Sequence, residues 1–222
     1  MTAGAARPPR PIDAVLFDFG GVLTRFSPFT ALGELGADAG VPPERVLEVL
    51  MGPYHEDTDH PFHQMERGEI SAMDWFQQAV PALAAEGIEL DPGRLVALFR
   101  SLGVHDVVVE RVRALRSDGY LTGIITNNVK EAAADWRAML DVDALFDVIV
   151  DSSAVGMRKP NPAIFHHALA ELGGIEPARA VFLDDSDGNV AGARAVGMHA
   201  ILVGPDPLPA LAELDRILVT GQ

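Results

Sequence analysis

The sequence predicts an α/β fold, a doubly wound parallel sheet with an inserted helical cap, and three observations carry that prediction. Short apolar runs of strand length recur at 12–17, 121–126, 148–150, 180–183 and 199–203. From the second onward they alternate with helical patterns, which is the signature of βαβ units and of a sheet covered on both faces. The stretch between the first and second runs carries helical patterns and no strand pattern.

The first run, 12–17, is apolar apart from Asp13, as a strand buried on both faces should largely be, and it stops at Asp18 and the pair Gly20-Gly21. Helical periodicity then marks 29–39, 43–51, 72–85 and 92–100, so residues 26–103 are expected to form the cap. After it, helices are expected at 107–117, 129–140, 162–172 and 189–196, each between two strands. The core therefore comprises 12–25 and 104–222, and the Pro-rich residues 1–11 are expected to be a disordered tail. Trp75 and Trp136 fall within helical patterns and are expected in the core.

The cap includes a polar stretch, 54–63, with His55, His60 and His63 among carboxylates. It reads either as a solvated loop or as a source of specificity and acid–base groups.

Composition excludes several roles. Seventeen basic against thirty-two acidic residues give a net charge of −15, which repels nucleic-acid backbones and anionic membrane surfaces. No apolar stretch reaches the roughly 18–20 residues that span a bilayer, and the N-terminus has no secretory apolar core, so a cytoplasmic location is expected. With no cysteine there is no disulfide and no thiolate chemistry. Lysine occurs twice, at Lys130 and Lys159, against fifteen arginines.

In open parallel sheets, ligands bind beyond the carboxyl ends of the strands, near the point where strand order reverses. Asp18 ends the first strand, Thr126-Asn127-Asn128 the second and Asp184-Asp185 the fourth, while Lys159 precedes Pro160 in the turn that opens a helix. Carboxylates converging from two strand ends repel one another unless a cation lies between them, so Asp18 and Asp185 point to a hard, oxygen-ligated metal such as Mg²⁺. Asp18 is then both ligand and candidate nucleophile toward phosphorus, forming an aspartyl phosphate. Thr126 offers a hydroxyl and Asn127 an amide to phosphoryl oxygens, and Lys159 a point charge to nucleophile and phosphate together. Adjacent carboxylates rarely bind one ion, so Asp184 is expected to orient Lys159 or to cap the following helix.

The segments VLFDFGGVLT, GIITNN, RKPNPAIF and VFLDDSDGNVAGARAVGM resemble, in order, the four motifs of the haloacid dehalogenase-like hydrolase superfamily. The LDD form of the last is similar to that of the N-terminal phosphatase-like group of soluble epoxide hydrolases. The resemblance implies a Rossmann-like core, a helical cap, Asp18 as nucleophile, Thr126 and Asn127 as phosphate-binding residues, Lys159 as the third-motif lysine and Asp185 as a Mg²⁺ ligand. It implies a small phosphorylated metabolite as substrate. Asn189 stands where many relatives carry another acid, and is expected to act through water.

One position departs from that pattern. Many family phosphatases carry an aspartate two residues after the nucleophile as general acid, where this chain has Gly20. Gly20 can offer its carbonyl to the metal but cannot protonate a leaving group, which suggests a substrate with a good leaving group. Family dehalogenases, which are metal-independent, also lack that aspartate. A 2-haloacid dehalogenase is therefore an alternative, opposed by the extra negative charge of Asp184-Asp185. A catalytically degenerate protein that binds a phosphorylated metabolite is a third reading.

Overall fold

The computed structural model describes residues 10–25, 40–89 and 103–222. Expected features at 1–9, 29–39 and 92–100 lie outside the described residues.

Among the described residues five strands form one parallel sheet: β1 (Ala14–Phe17), β2 (Leu121–Thr126), β3 (Val148–Asp151), β4 (Ala180–Asp184) and β5 (His199–Leu202). Their order is β3-β2-β1-β4-β5, so the chain winds outward from β1 in one direction, then crosses back to build the other half. The reversal lies at β1, which pairs with β2 on one side and β4 on the other. Side chains alternate along each strand. Val15, Phe17, Ile124, Val181 and Leu183 enter one apolar layer, whereas Ala14, Leu16, Ile125, Ala180 and Phe182 enter the other. Burial on both faces is why these runs read as continuously apolar.

Among the described residues the helices in chain order are α1 (Pro43–Met51), α2 (Pro61–Glu66), α3 (Ala72–Ala85), α4 (Asp106–Ser117), α5 (Ala133–Arg137), α6 (Val142–Leu145), α7 (Ser152–Val155), α8 (Pro162–Glu171), α9 (Asp187–Ala195) and α10 (Leu208–Thr220). Helices α4 and α10 supply Val108, Val112, Leu214 and Ile217 to the first layer. From α8 and α9 come Ile164, Phe165, Val190 and Ala193, which fill the second. None of these helices is long and apolar enough to cross a membrane.

Helices α1, α2 and α3 pack on one another around a separate apolar cluster that includes Val46, Leu50, Met65, Trp75 and Leu83. Ser71 and Asp74 form a reciprocal capping box at the start of α3, and Trp75 Nε1 donates to Leu50 O at 3.2 Å. The segment leaves and rejoins the sheet-bearing layer at one place. Thr24 and Val104 form an antiparallel bridge, Arg25 N donates to Gly103 O at 2.7 Å, and His105 N donates to Leu23 O at 2.9 Å.

Two local expectations differ from the structure. Residues 129–140 do not form one helix: a tight turn at Lys130–Ala132 leads into the five-residue α5. Trp136 is anchored against the Phe19 ring and donates Nε1 to Asp151 Oδ2 at 3.3 Å, and Asp141 caps α6, so tertiary contacts override the helical pattern. The histidine-rich stretch is not simply a solvated loop, because α2 starts at Pro61 with the His60 ring as its cap, and His63 is fully buried.

Candidate active site

Strand register brings the acidic residues together. Phe17 lies opposite Leu183, so the next residues, Asp18 and Asp184, emerge side by side where strand order reverses. Asp18 N donates to Leu183 O at 2.8 Å, which carries the pairing one residue past the strand, and Asp18 Oδ1 accepts from Phe19 N at 2.6 Å. Asp18, Asp184 and Asp185 each present an oxygen, and the three oxygens lie within 4.8 Å of one another.

Lys159 reaches this cluster from the turn before α8. Its Nζ stands 2.9 Å from Asp18 Oδ1 and 2.7 Å from Asp184 Oδ2, with both Lys159 and Asp184 fully buried. Burial opposes the ammonium, but the Asp18 and Asp184 carboxylates outweigh it and hold the Lys159 pKa above its ordinary value. Burial pushes the Asp18 carboxyl well up; Lys159 opposes this, while Asp184 and Asp185 add to it.

Asp184 is fully committed to this arrangement. Oδ1 accepts from Ser186 N at 2.9 Å and from Asn189 Nδ2 at 3.0 Å, while Oδ2 holds Lys159. Of its two expected roles, orienting Lys159 is the one its geometry performs. Asp185 packs on the turn after β1: a Cβ on Gly21 would fall 2.1 Å from Asp185 Oδ2, and Gly21 has φ of +70°, so glycine is required there on both counts.

The remaining predicted residues take different places. Thr126 is buried at the end of β2, beside β1. Gly20 lies in the turn that packs on Asp185, with an extended backbone at φ −69° and ψ 135°. The Asn127 side chain is already engaged. Its Oδ1 accepts from Lys159 N at 2.8 Å and its Nδ2 donates to Lys159 O at 3.0 Å, so the side-chain amide binds the lysine's own backbone. Asn189 donates to Asp184, while its Oδ1 is buried without a hydrogen-bond partner.

The donor set suits a divalent cation. Three carboxylates face one ammonium, all the candidate donors are hard oxygens, and the unpartnered Asn189 acceptor lies beside them. The cluster could therefore bind a metal.

Sequence reasoning missed a second buried ionic group next to the first. Arg158 is fully buried, donates Nε to Glu66 Oε2 at 2.7 Å and carries Tyr54 against its guanidinium, with 5.1 Å from its central carbon to the ring centroid. Burial raises the Glu66 pKa against the pull of Arg158. Burial together with Arg158 holds the His63 pKa down at about 3, so this histidine is neutral at pH 7 and carries no proton to donate as an imidazolium.

A family model of haloacid dehalogenase-like hydrolases matches residues 12–197. The chain is 28% identical over 218 residues to bifunctional epoxide hydrolase 2 of Rattus norvegicus, a match covering 92% of this chain and 38% of that relative. It is also 28% identical over 217 residues to glyceraldehyde 3-phosphate phosphatase of Methanothermobacter thermautotrophicus, covering 92% and 89%. The chain spans 19%, 38% and 33% of the length of three curated relatives it matches. Two solved structures share the fold. One is a HAD family enzyme of Bacteroides thetaiotaomicron in complex with magnesium and inorganic phosphate, with 22% identity, TM-score 0.63, and coverage of 90% of this chain and 98% of that one. The other is a dehalogenase, with 20% identity, TM-score 0.64, and coverage of 94% and 98%.

Proposed function

This chain belongs to the haloacid dehalogenase-like hydrolase family, and we propose that it is a Mg²⁺-dependent phosphatase acting on a small phosphorylated metabolite through an aspartyl phosphate on Asp18. The observation that carries the reading is the Lys159 ammonium, held between Asp18 and Asp184 in a cluster with Asp185. A buried site with three carboxylates and one ammonium keeps a net negative charge, which disfavours an anionic substrate unless a cation is bound with it. The phosphatase named among the relatives supports the same direction.

In this reading Asp18, Asp185 and the Gly20 carbonyl hold Mg²⁺, which when bound supplies positive charge to the transferring group. The Asp18 carboxylate attacks phosphorus, the bond to the leaving oxygen breaks, and water later attacks the aspartyl phosphate to release phosphate and restore Asp18. Lys159 and the Thr126 hydroxyl meet the phosphoryl oxygens, and since the Asn127 side chain is engaged, its backbone N–H takes the phosphate role. Gly20 provides no acid, so the favoured substrate has a leaving group that departs without full protonation, such as an anomeric or acyl phosphate.

Residues 12–25 and 104–222 act as the core and 26–103 as a cap that selects the substrate; the paired ends of that segment support the division. A cytoplasmic location fits the composition.

The test is p-nitrophenyl phosphate turnover with Mg²⁺, in wild type and Asp18→Asn. Turnover that EDTA and Asp18→Asn both abolish is expected. Release of halide from a 2-haloacid in EDTA would instead establish the dehalogenase, and equal turnover by Asp18→Asn would remove the covalent route.

A further inference from the structure

Arg158 and Lys159 are consecutive residues whose side chains leave the backbone in opposite senses. Lys159 goes to Asp18 and Asp184, and Arg158 goes to the helical layer built from α1, α2 and α3. There Arg158 is gripped three ways: Nε donates to Glu66 Oε2 at 2.7 Å, Nη1 donates to Glu56 O at 2.7 Å, and Asp57 Oδ1 lies 3.9 Å from Nη1. Glu66 has a second attachment. Its backbone carbonyl accepts from Ser152 Oγ at 2.6 Å, and that same hydroxyl oxygen accepts from Asn128 N at 3.0 Å. Asn127, next in the chain, clamps the Lys159 peptide from both sides. One residue of the helical layer thus holds Arg158 directly and reaches the loop after β2 through the Ser152 hydroxyl.

A buried ion pair is a poor choice for stability alone, because desolvation of both charges offsets their attraction and an apolar pair of similar volume serves as well. What the guanidinium fork supplies is geometry, since its donors fix the direction of each partner. We infer that Glu66 and Arg158 are positioning residues: the helical layer's grip on Arg158 sets where the Lys159 ammonium stands beside Asp18. Placement of the substrate-selecting layer and readiness of the nucleophile are then coupled through a single peptide unit. The kinetic consequence rests on the phosphatase reading; the placement of Lys159 does not.

The lysine content permits a direct test. Lys130 and Lys159 are the two lysines of the chain, the first exposed and the second buried, so acetic anhydride labelling resolved by peptide mass reports Lys159 against an internal standard. The variants are the apolar pair Glu66→Leu with Arg158→Met, and the milder Glu66→Gln, which keeps the backbone contact to Ser152. In a pair variant whose melting temperature matches wild type, the Lys159 to Lys130 labelling ratio should rise about 10-fold, and kcat for p-nitrophenyl phosphate with Mg²⁺ should fall about 10- to 100-fold with KM within about 3-fold. Glu66→Gln should show the same changes at smaller size. Either readout staying at the wild-type value in a folded variant overturns the inference, and if the pair variant does not fold, Glu66→Gln decides by the same criteria. Absence of wild-type turnover sinks the phosphatase reading instead, and the labelling ratio alone then decides whether Glu66 and Arg158 place Lys159.

Discussion

Asn127 grips Lys159 by its peptide and not by its ammonium, with Oδ1 2.8 Å from Lys159 N and Nδ2 3.0 Å from Lys159 O. A side chain from the loop after β2 therefore fixes the backbone that presents the cation to Asp18. Asn127→Ala removes two hydrogen bonds at about 1 kcal/mol each, so the melting temperature should fall by about 4–8 °C in a domain of this size. Because Lys159 is displaced along with its peptide, kcat should drop by about 10- to 100-fold. Calorimetry and steady-state kinetics check the two effects separately.

Gly21 has little freedom to change. A methyl group there would overlap Asp185 Oδ2 and would stand on a backbone at φ of +70°. Gly21→Ala is expected to raise the Mg²⁺ concentration needed for half-maximal activity by about 10-fold or more, as an oxygen ligand misplaced by an ångström would. A Mg²⁺ titration that superimposes on wild type would count against Asp185 as a ligand.

Gly20, next to it, is permissive. Its φ of −69° and ψ of 135° suit any L-residue. Gly20→Asp should speed hydrolysis of alkyl phosphates by about 10²-fold or more while leaving p-nitrophenyl phosphate little changed, because only the poor leaving group needs a proton. Equal effects on both substrates would show that the added carboxylate acts through something other than acid catalysis.

Metal removal should be visible in stability as well as in rate. Mg²⁺ at a hundred times its dissociation constant stabilises the folded chain by about 2.7 kcal/mol, and that increment should vanish in EDTA and in Asp185→Asn. Thermal melts with and without the ion measure it.

At the far end of β1, Asp13 meets Arg179, whose Nη2 donates to Asp13 Oδ1 at 2.8 Å. The Arg179 hydrogen bond holds the Asp13 pKa below the usual carboxylate value against the opposing effect of burial. A depressed folded pKa means stability present above the unfolded value near ~3.9 and lost as pH falls through the folded one. Asp13→Asn should thus lower the melting temperature at pH 7, with the gap closing in acid; both side chains are partly exposed, so it will be small. A gap that does not vary with pH would assign the effect to packing.

The sheet was legible because strands buried on both faces are largely apolar, and β1, β2 and β4 end at or next to polar residues on the carboxyl edge. Asp18, Thr126, Asp184 and Asp185 could be picked out on that rule, and Lys159 from its turn at the start of a helix. Helix α10 was legible too: Ala210, Leu211, Leu214, Ile217 and Leu218 follow helical spacing, but no strand follows them, so attention to βαβ alternation passes over them. Helix α2, at six residues, is too short to show a period. Arg158 and Glu66 were hidden for a different reason. Separated by 92 positions, each looks like an ordinary surface charge until the fold removes both from water. The bonds of the Asn127 side chain to the Lys159 backbone were hidden too, because residue type cannot say whether an amide faces a ligand or a neighbouring peptide.

The bridge between Thr24 and Val104 has an evolutionary corollary. The two ends of the intervening segment are held side by side, and the entropic cost of a longer or shorter span grows only with the logarithm of its length. On the proposal that 26–103 selects the substrate, a lineage can exchange that segment without re-registering any of the five described strands.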